Sequence, residues 1–167
     1  TISNIKRKNM YKTLVTLLSV LSLNGCVSVA KIADFPDTAA SVDFDVARAK
    51  NNQDPAAWSQ QVNCEYVIEL ENTNEDDAIK AISEGFKATG YKVAAIDKAK
   101  QKVTAEKGMT MLEWNSISVA YYKILSSNVR VYVVTKITQD FTGGWKDHRA
   151  KNTADAICAA SKKCKPA

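Results

Sequence analysis

The chain has few of the residues from which catalytic sites are usually built. Its single histidine, His148, is the only candidate general base with an ordinary pKa near 7. There is no G-x-S-x-G motif, no cysteine paired with a histidine in a recognisable context, and Gly143-Gly144 is too short to cradle a phosphate. We therefore expect no enzyme, no cofactor and no metal. A hydrolase or transferase that uses His148 remains the enzymatic alternative.

An excess of charge is also missing from most of the chain. Residues 1–25 hold four of the 23 Lys and Arg and none of the 18 Asp and Glu, which leaves 19 basic against 18 acidic residues, a net +1, after them. Nucleic-acid binding needs a clustered excess of Lys and Arg. We expect no nucleic-acid partner.

The N-terminal residues have the layout of a secretory signal peptide. Basic residues at 6–12 precede the apolar run Leu14–Leu23, and a small residue followed by Cys26 closes it. The run is shorter than the roughly 20 apolar residues that cross a bilayer. We assign residues 1–25 to the signal, with residues 1–9 as a stretch that precedes the true start if translation begins at Met10.

The end of this segment, Leu23-Asn24-Gly25-Cys26, resembles the lipobox of bacterial lipoproteins. That motif has an aliphatic residue, a small residue, Gly or Ala, and then Cys; Leu23, Gly25 and Cys26 match it, and Asn24 departs from it. The resemblance implies cleavage before Cys26 and its acylation, typically with palmitate. Because Val27 and not Asp follows, it also implies the outer membrane, facing the periplasm. A plain cleaved secretory signal is the alternative.

After the signal, we expect a lipidated N-terminus and tether over residues 26–60 and a single domain over 61–167. The tether contains prolines and lacks sustained periodicity, with a short helix near 46–50. In the domain, residues 62–71 alternate strictly, as a half-buried strand does, and residues 75–86 carry apolar side chains at helical spacing.

The remaining elements are two hairpins and a helix. The expected strands and helix are Tyr91–Asp97 with Gln101–Lys107, Ser116–Tyr122 with Val129–Ile137, and Lys146–Ser161. The order β-α-β-β-β-β-α predicts an α+β fold, with an antiparallel sheet of about five strands and two helices packed on one face.

The second face of this sheet is unusually apolar for a surface that meets water. Its predicted members are Val67, Ile96, Ala120, Tyr122, Tyr132 and Val134. Either residues 27–60 fold back over this face, or it binds another molecule.

Three cysteines follow the lipobox, and in an oxidising compartment two of them are expected to pair. Cys64 and Cys158 both face the predicted core, so the preferred bond joins Cys64 to Cys158 or Cys164. The Cα atoms of Cys158 and Cys164 on one continuous helix would be about 10 Å apart, so these two pair only if the helix ends near Ala160. A zinc site of these cysteines with His148 has suitable ligands but lacks the close spacing of metal sites.

Two loops are apolar enough to be contact surfaces. Residues 108–114 join the hairpins, and residues 139–145 precede the last helix. Their candidate contact residues are Met109, Met111, Leu112, Trp114, Phe141 and Trp145. The alternative is that both tryptophans are buried at the ends of the core.

The hairpin pattern from Gly90 through Asp97 to Ala105 loosely resembles small α+β accessory lipoproteins of the bacterial envelope. The resemblance implies a non-enzymatic, membrane-anchored lipoprotein with an envelope protein partner, acting in envelope assembly, secretion or maintenance. The alternative is a binding module for a small ligand, lipid or peptide, in which Tyr122 and Tyr132 on the second sheet face make the contact.

Overall fold

One antiparallel sheet organises the protein. The computed structural model describes residues 31–51, 65–108, 115–137 and 149–166. Its strands are β1 (Glu65–Leu70), β2 (Lys92–Asp97), β3 (Lys102–Lys107), β4 (Ser116–Ile124), β5 (Val129–Ile137) and β6 (Cys164–Pro166). They lie in the order β2-β3-β4-β5-β1-β6, and every neighbouring pair is antiparallel.

Three helices accompany the sheet, namely α1 (Phe44–Ala49), α2 (Glu75–Ala88) and α3 (Arg149–Ser161). The predicted α+β class and the two hairpins are confirmed, and the order β-α-β-β-β-β-α holds from residue 65 to 161. α1 begins two residues before the short helix that the sequence indicates near 46–50. β6 was not predicted, because three residues are too few to show an alternating pattern.

The ends of α2 follow from its capping residues. The side chain of Asn74 accepts the Asp77 backbone N–H at 2.8 Å and satisfies a donor that the first turn leaves free. At the other end Gly90 has φ +83°, which a glycine adopts without strain. The chain then turns into β2, and Tyr91 N–H donates to the Phe86 carbonyl at 2.8 Å.

Both long helices cover one face of the sheet, as predicted. The main core lies between these two helices and the sheet. Its fully buried members include Ile68, Leu70, Ile82, Phe86, Tyr122, Val131 and Ile157. α2 and α3 pack closely, since Gly85 of α2 lies directly against Ile157 of α3. Burial of this apolar surface is the main contribution to the stability of the domain.

The opposite face of the sheet is covered by residues 31–51, which we call the N-terminal layer. Phe35 and Phe44 are each only 6% exposed and form a second core with the sheet. The Phe44 ring meets the ring of Tyr132 edge-on, with centroids 6.1 Å apart. The chain itself therefore covers the apolar second face, and part of the segment expected to be a tether packs on the sheet.

Partly buried polar contacts fix the N-terminal layer in place. The carbonyl of Pro36 accepts hydrogen bonds from Tyr121 Oη at 2.5 Å and Lys102 Nζ at 3.0 Å. The Asn51 amide donates to the Val67 carbonyl at 2.7 Å and accepts the Val67 N–H at 2.9 Å. Because β6 pairs with β1 only from Ile68 onward, Asn51 takes the place of a strand partner for Val67.

The assignment of residues to the two sheet faces was wrong for part of β4. Ala120 and Tyr122 face the helices, whereas Val119 and Tyr121 face the N-terminal layer. All four are 0% exposed, so apolar residues line both faces of this strand and their pattern does not distinguish the faces. The other predicted members of the second face lie as follows: Val67, Tyr132 and Val134 are buried there, and Ile96 is exposed on β2.

Candidate functional site

The two apolar loops predicted as contact surfaces attach to the same end of the sheet. Ser116, the first residue of β4, pairs with Lys107 at the end of β3 and with Ile137 at the end of β5. Residues 109–114 connect β3 to β4, and residues 138–148 follow β5. The attachment points of both loops are therefore neighbours, and we call this end of the sheet the loop end. The six candidate contact residues themselves, Met109, Met111, Leu112, Trp114, Phe141 and Trp145, lie outside the described residues.

Hydroxyl groups are buried in the core near the loop end. Ser118 Oγ and Thr135 Oγ1 are 2.8 Å apart, and Ser116 Oγ donates to Tyr91 Oη at 3.3 Å. All four side chains are buried, so each hydroxyl needs the partner that it has. Hydroxyls bonded to one another are weak acids and weak nucleophiles. The first pair therefore joins β4 to β5, and the second joins the start of β4 to the residue that precedes β2.

Tyr122 and Tyr132 were the candidate contact residues for the case in which the second sheet face binds another molecule, and both are buried. Tyr122 is 0% and Tyr132 7% exposed. Tyr122 Oη donates to Glu75 at 2.8 Å, and Tyr132 Oη donates to Glu65 at 2.6 Å. The rings are buried because helices cover one face of the sheet and the N-terminal layer covers the other.

The buried Tyr122 phenol makes stability fall in alkaline solution. Burial, and then the hydrogen bond to Glu75, raise its pKa above the ordinary value of 10.0. The unfolded chain releases this proton near pH 10 while the folded chain still holds it. The contribution of Tyr122 to stability is therefore constant below that pH and falls as the pH rises toward the folded-state pKa, by about 1.4 kcal/mol per pH unit. Urea unfolding at about pH 8 and about pH 11 should show a smaller decline in Tyr122→Phe than in wild type, and equal declines would contradict this.

The disulfide joins Cys158 to Cys164, whose Cα atoms are 5.0 Å apart. The preferred pairing with Cys64 was therefore wrong for both C-terminal cysteines, and Cys64 itself lies outside the described residues. The pairing is possible because α3 ends at Ser161 and Lys162 has φ +58°, which reverses the chain. The bond also excludes the zinc alternative, since it uses two of the four proposed ligands.

Reducing this disulfide is expected to lower the free energy of unfolding by about 2 kcal/mol, the estimate for so short a closed loop. β6 should loosen as well, because the bond ties the start of β6 to the end of α3. Urea unfolding measures the first effect. Hydrogen exchange at Glu71 measures the second, since its N–H donates to the Lys163 carbonyl at 2.7 Å.

Cys164→Ala is the control for that experiment. The variant should already have the stability of the reduced wild type, and reductant should not change it further. A wild-type protein whose stability stays constant after the bond is shown to be open would contradict the assignment.

A shallow groove of about 180 Å³ lies between α2 and the residues that follow α3. Its charged lining alternates in sign, with Asp77 and Glu84 beside Lys80 and Lys163. Sequence reasoning did not identify this groove, because such residues are also typical of any solvated helix face. Its volume is below the roughly 300 Å³ at which ligand pockets usually begin.

Sequence reasoning also did not identify the exposed apolar side chains of the N-terminal layer. Ile32 is 48% and Val46 54% exposed. Val46 follows Phe44 by two residues in α1, about 200° around the helix, so it faces outward when Phe44 faces the sheet. The sequence signal that could have indicated the start of α1 is the N-cap residue Asp43, whose side chain accepts the Asp45 and Val46 N–H groups.

The remaining predicted site residues, Cys26 and His148, lie outside the described residues. None of the helices in the described parts of the chain is long and apolar enough to cross a membrane. No protein-family model matches the chain, and a search of curated proteins finds no match.

Proposed function

We propose that this chain is a lipoprotein of the bacterial outer membrane, anchored through acylated Cys26 and facing the periplasm. It acts without catalysis, through protein contacts in envelope assembly, secretion or maintenance. The observation that carries the proposal is the order of the N-terminal residues, a basic lead, an apolar run and then Leu23-Asn24-Gly25-Cys26. Acyl chains anchor a protein durably when more than one is attached.

The loop end is the proposed contact surface. Its support is the register of the sheet, since Ser116 pairs with both Lys107 and Ile137. The two loops therefore attach at neighbouring points. Residues 108–114 contain Met and Trp, residues 139–145 contain Phe and Trp, and these residue types are enriched at protein interfaces. The proposed contacts belong to residues 108–114 first and to residues 139–145 second.

The alternative, a binding module for a small ligand, lipid or peptide, has less support. It needs the second sheet face to be accessible, but Tyr132 and Val134 are buried beneath the N-terminal layer. A ligand could reach them only after Phe35 and Phe44 had left their core. Within the described residues, the groove beside α2 offers only about 180 Å³.

A photo-crosslinking residue placed at Met111 tests the contact surface in intact cells. We expect one reproducible adduct from this position. The matched control is the same residue at Lys80, which is exposed on α2, and it should not give that adduct. The same pattern from both positions, or none from Met111 in a correctly located protein, would contradict the loop end as the surface.

Trp114→Glu is expected to abolish the Met111 adduct, because a carboxylate at the centre of an interface is not solvated by water. Thermal unfolding should show that the variant keeps the wild-type midpoint. Persistence of the adduct in a stably folded Trp114→Glu protein counts against the proposed contact.

A further inference from the structure

The distance between the lipid anchor and the folded domain is short. Lys31, where the N-terminal layer begins, is five positions after Cys26, and Phe35, the first residue in the second core, is nine positions after it. A fully extended chain spans at most about 3.6 Å per residue, so Lys31 lies within about 18 Å of the anchor atom. The layer must therefore lie near the membrane wherever Cys26 is acylated.

The N-terminal layer is fixed to the sheet, so the domain moves with it. Asp37 forms an ion pair with Lys100 at 2.7 Å, and Asp45 forms one with Arg130 at 2.9 Å. The Pro36 carbonyl is held by Tyr121 Oη. Because these contacts are spread along the layer, the layer belongs to the folded domain. The link between the anchor and the domain is therefore limited to residues 27–30.

The outer surface of the layer is apolar in two places and nearly neutral in charge. Ile32 and Val46 are two of the four large apolar side chains that are exposed in the described parts of the chain. The carboxylates of Asp37 and Asp45 pair with Lys100 in the β2–β3 turn and with Arg130 of β5. Residues 31–51 contain three basic residues and four aspartates, so the layer carries little net charge. A surface with exposed apolar side chains among charges of both signs suits the headgroup region of a bilayer, where amphipathic surfaces lie.

We propose that the outer surface of the N-terminal layer, with Ile32 and Val46, rests against the lipid headgroups of the membrane that holds the anchor. This inference rests on the proposed function, because it needs acylated Cys26.

The proposed orientation also narrows the class of protein partner that the loop end can bind. Lys136 Nζ donates to the carbonyl of Asp34, and Lys136 precedes Ile137 at the loop end. The loop end therefore lies beside the membrane-proximal layer, and the partner that it suits is a protein embedded in that membrane.

Fluorescence quenching in vesicles tests the orientation. The full-length acylated protein is prepared with a fluorophore on Ile32→Cys, Val46→Cys or Lys80→Cys, each in a Cys64→Ala background. The vesicles contain phosphatidylethanolamine and phosphatidylglycerol with a nitroxide-labelled headgroup, or phosphatidylcholine with the same label. We expect a larger loss of fluorescence at positions 32 and 46 than at position 80, which lies on the helical side of the domain. The loss should be similar in both lipid mixtures, because the surface is close to neutral.

The intact mass of the same samples separates the two possible failures. An acylated Cys26 with equal quenching at all three positions, or more at position 80, overturns the orientation and leaves the lipoprotein proposal in place. A protein without acyl chains on Cys26 overturns both. Positions 32 and 46 are already exposed, and each variant is checked by its thermal midpoint. A variant that does not fold is set aside and the other layer position decides.

Discussion

Phe44→Ala is expected to lower the free energy of unfolding by about 3 kcal/mol or more, the usual range for a buried phenylalanine. Phe44 is 6% exposed and lies between the N-terminal layer and the ring of Tyr132. Its loss leaves a cavity in a core that the layer closes from one side only. If the N-terminal layer detaches from the sheet in this variant, the decrease in the free energy of unfolding cannot exceed the free energy that holds the layer on the sheet.

Urea unfolding measures this effect, and Val46→Ala is the matched control. Val46 is in the same short helix but is 54% exposed, so its truncation should change stability by less than about 0.5 kcal/mol. Binding of a hydrophobic dye to folded Phe44→Ala would reveal detachment, because it exposes the second sheet face. Equal effects of the two substitutions would show that the layer does not form part of the folded core.

Gly85→Ala is expected to cost about 2 kcal/mol or more, because it forces α2 and α3 apart. A Cβ at this position would lie 2.4 Å from Ile157 Cγ1, 2.7 Å from its backbone nitrogen and 2.9 Å from its Cα. A rotamer change moves the first of these atoms but not the other two. The higher helix propensity of alanine offsets about 1 kcal/mol of the cost.

Gly108→Ala is the control for this substitution. Among the residues that the structure describes, none has an atom within 4 Å of a Cβ placed there, so the same chemical change should alter stability by less than about 0.5 kcal/mol. Urea unfolding of both variants at one pH gives the comparison. A Gly85→Ala protein as stable as Gly108→Ala would mean that the two helices do not pack as closely as described.

The elements that the sequence predicted well are those whose signals are local. The alternation in β1 arises because Tyr66, Ile68 and Leu70 pack under the helices, whereas the opposite face carries two partly exposed glutamates beside the buried Val67. Asn74 and Gly90 mark the limits of α2 through their own backbone requirements. The faces of β4 were predicted less well. Val119 and Tyr122 both have large apolar parts and are both 0% exposed, so only the pairing with neighbouring strands decides which layer each one faces.

In the candidate site, too, the features with local sequence signals were predicted and those that depend on strand pairing or on the end of a helix were not. The composition of residues 108–114 was enough to predict a contact loop, but only the register shows that it attaches beside residues 138–148. The disulfide depended on where α3 ends. Lys162 adopts a positive φ without being a glycine, so no local signal indicated the chain reversal that brings Cys164 back to Cys158.

The proposed anchor is the claim on which the functional account depends most. The most direct test is the intact mass of the protein extracted gently from native membranes. The account predicts a chain that begins at Cys26 and carries the added mass of acyl chains on that residue. A chain with an unmodified Cys26, or one that still carries the residues before it, would contradict the account.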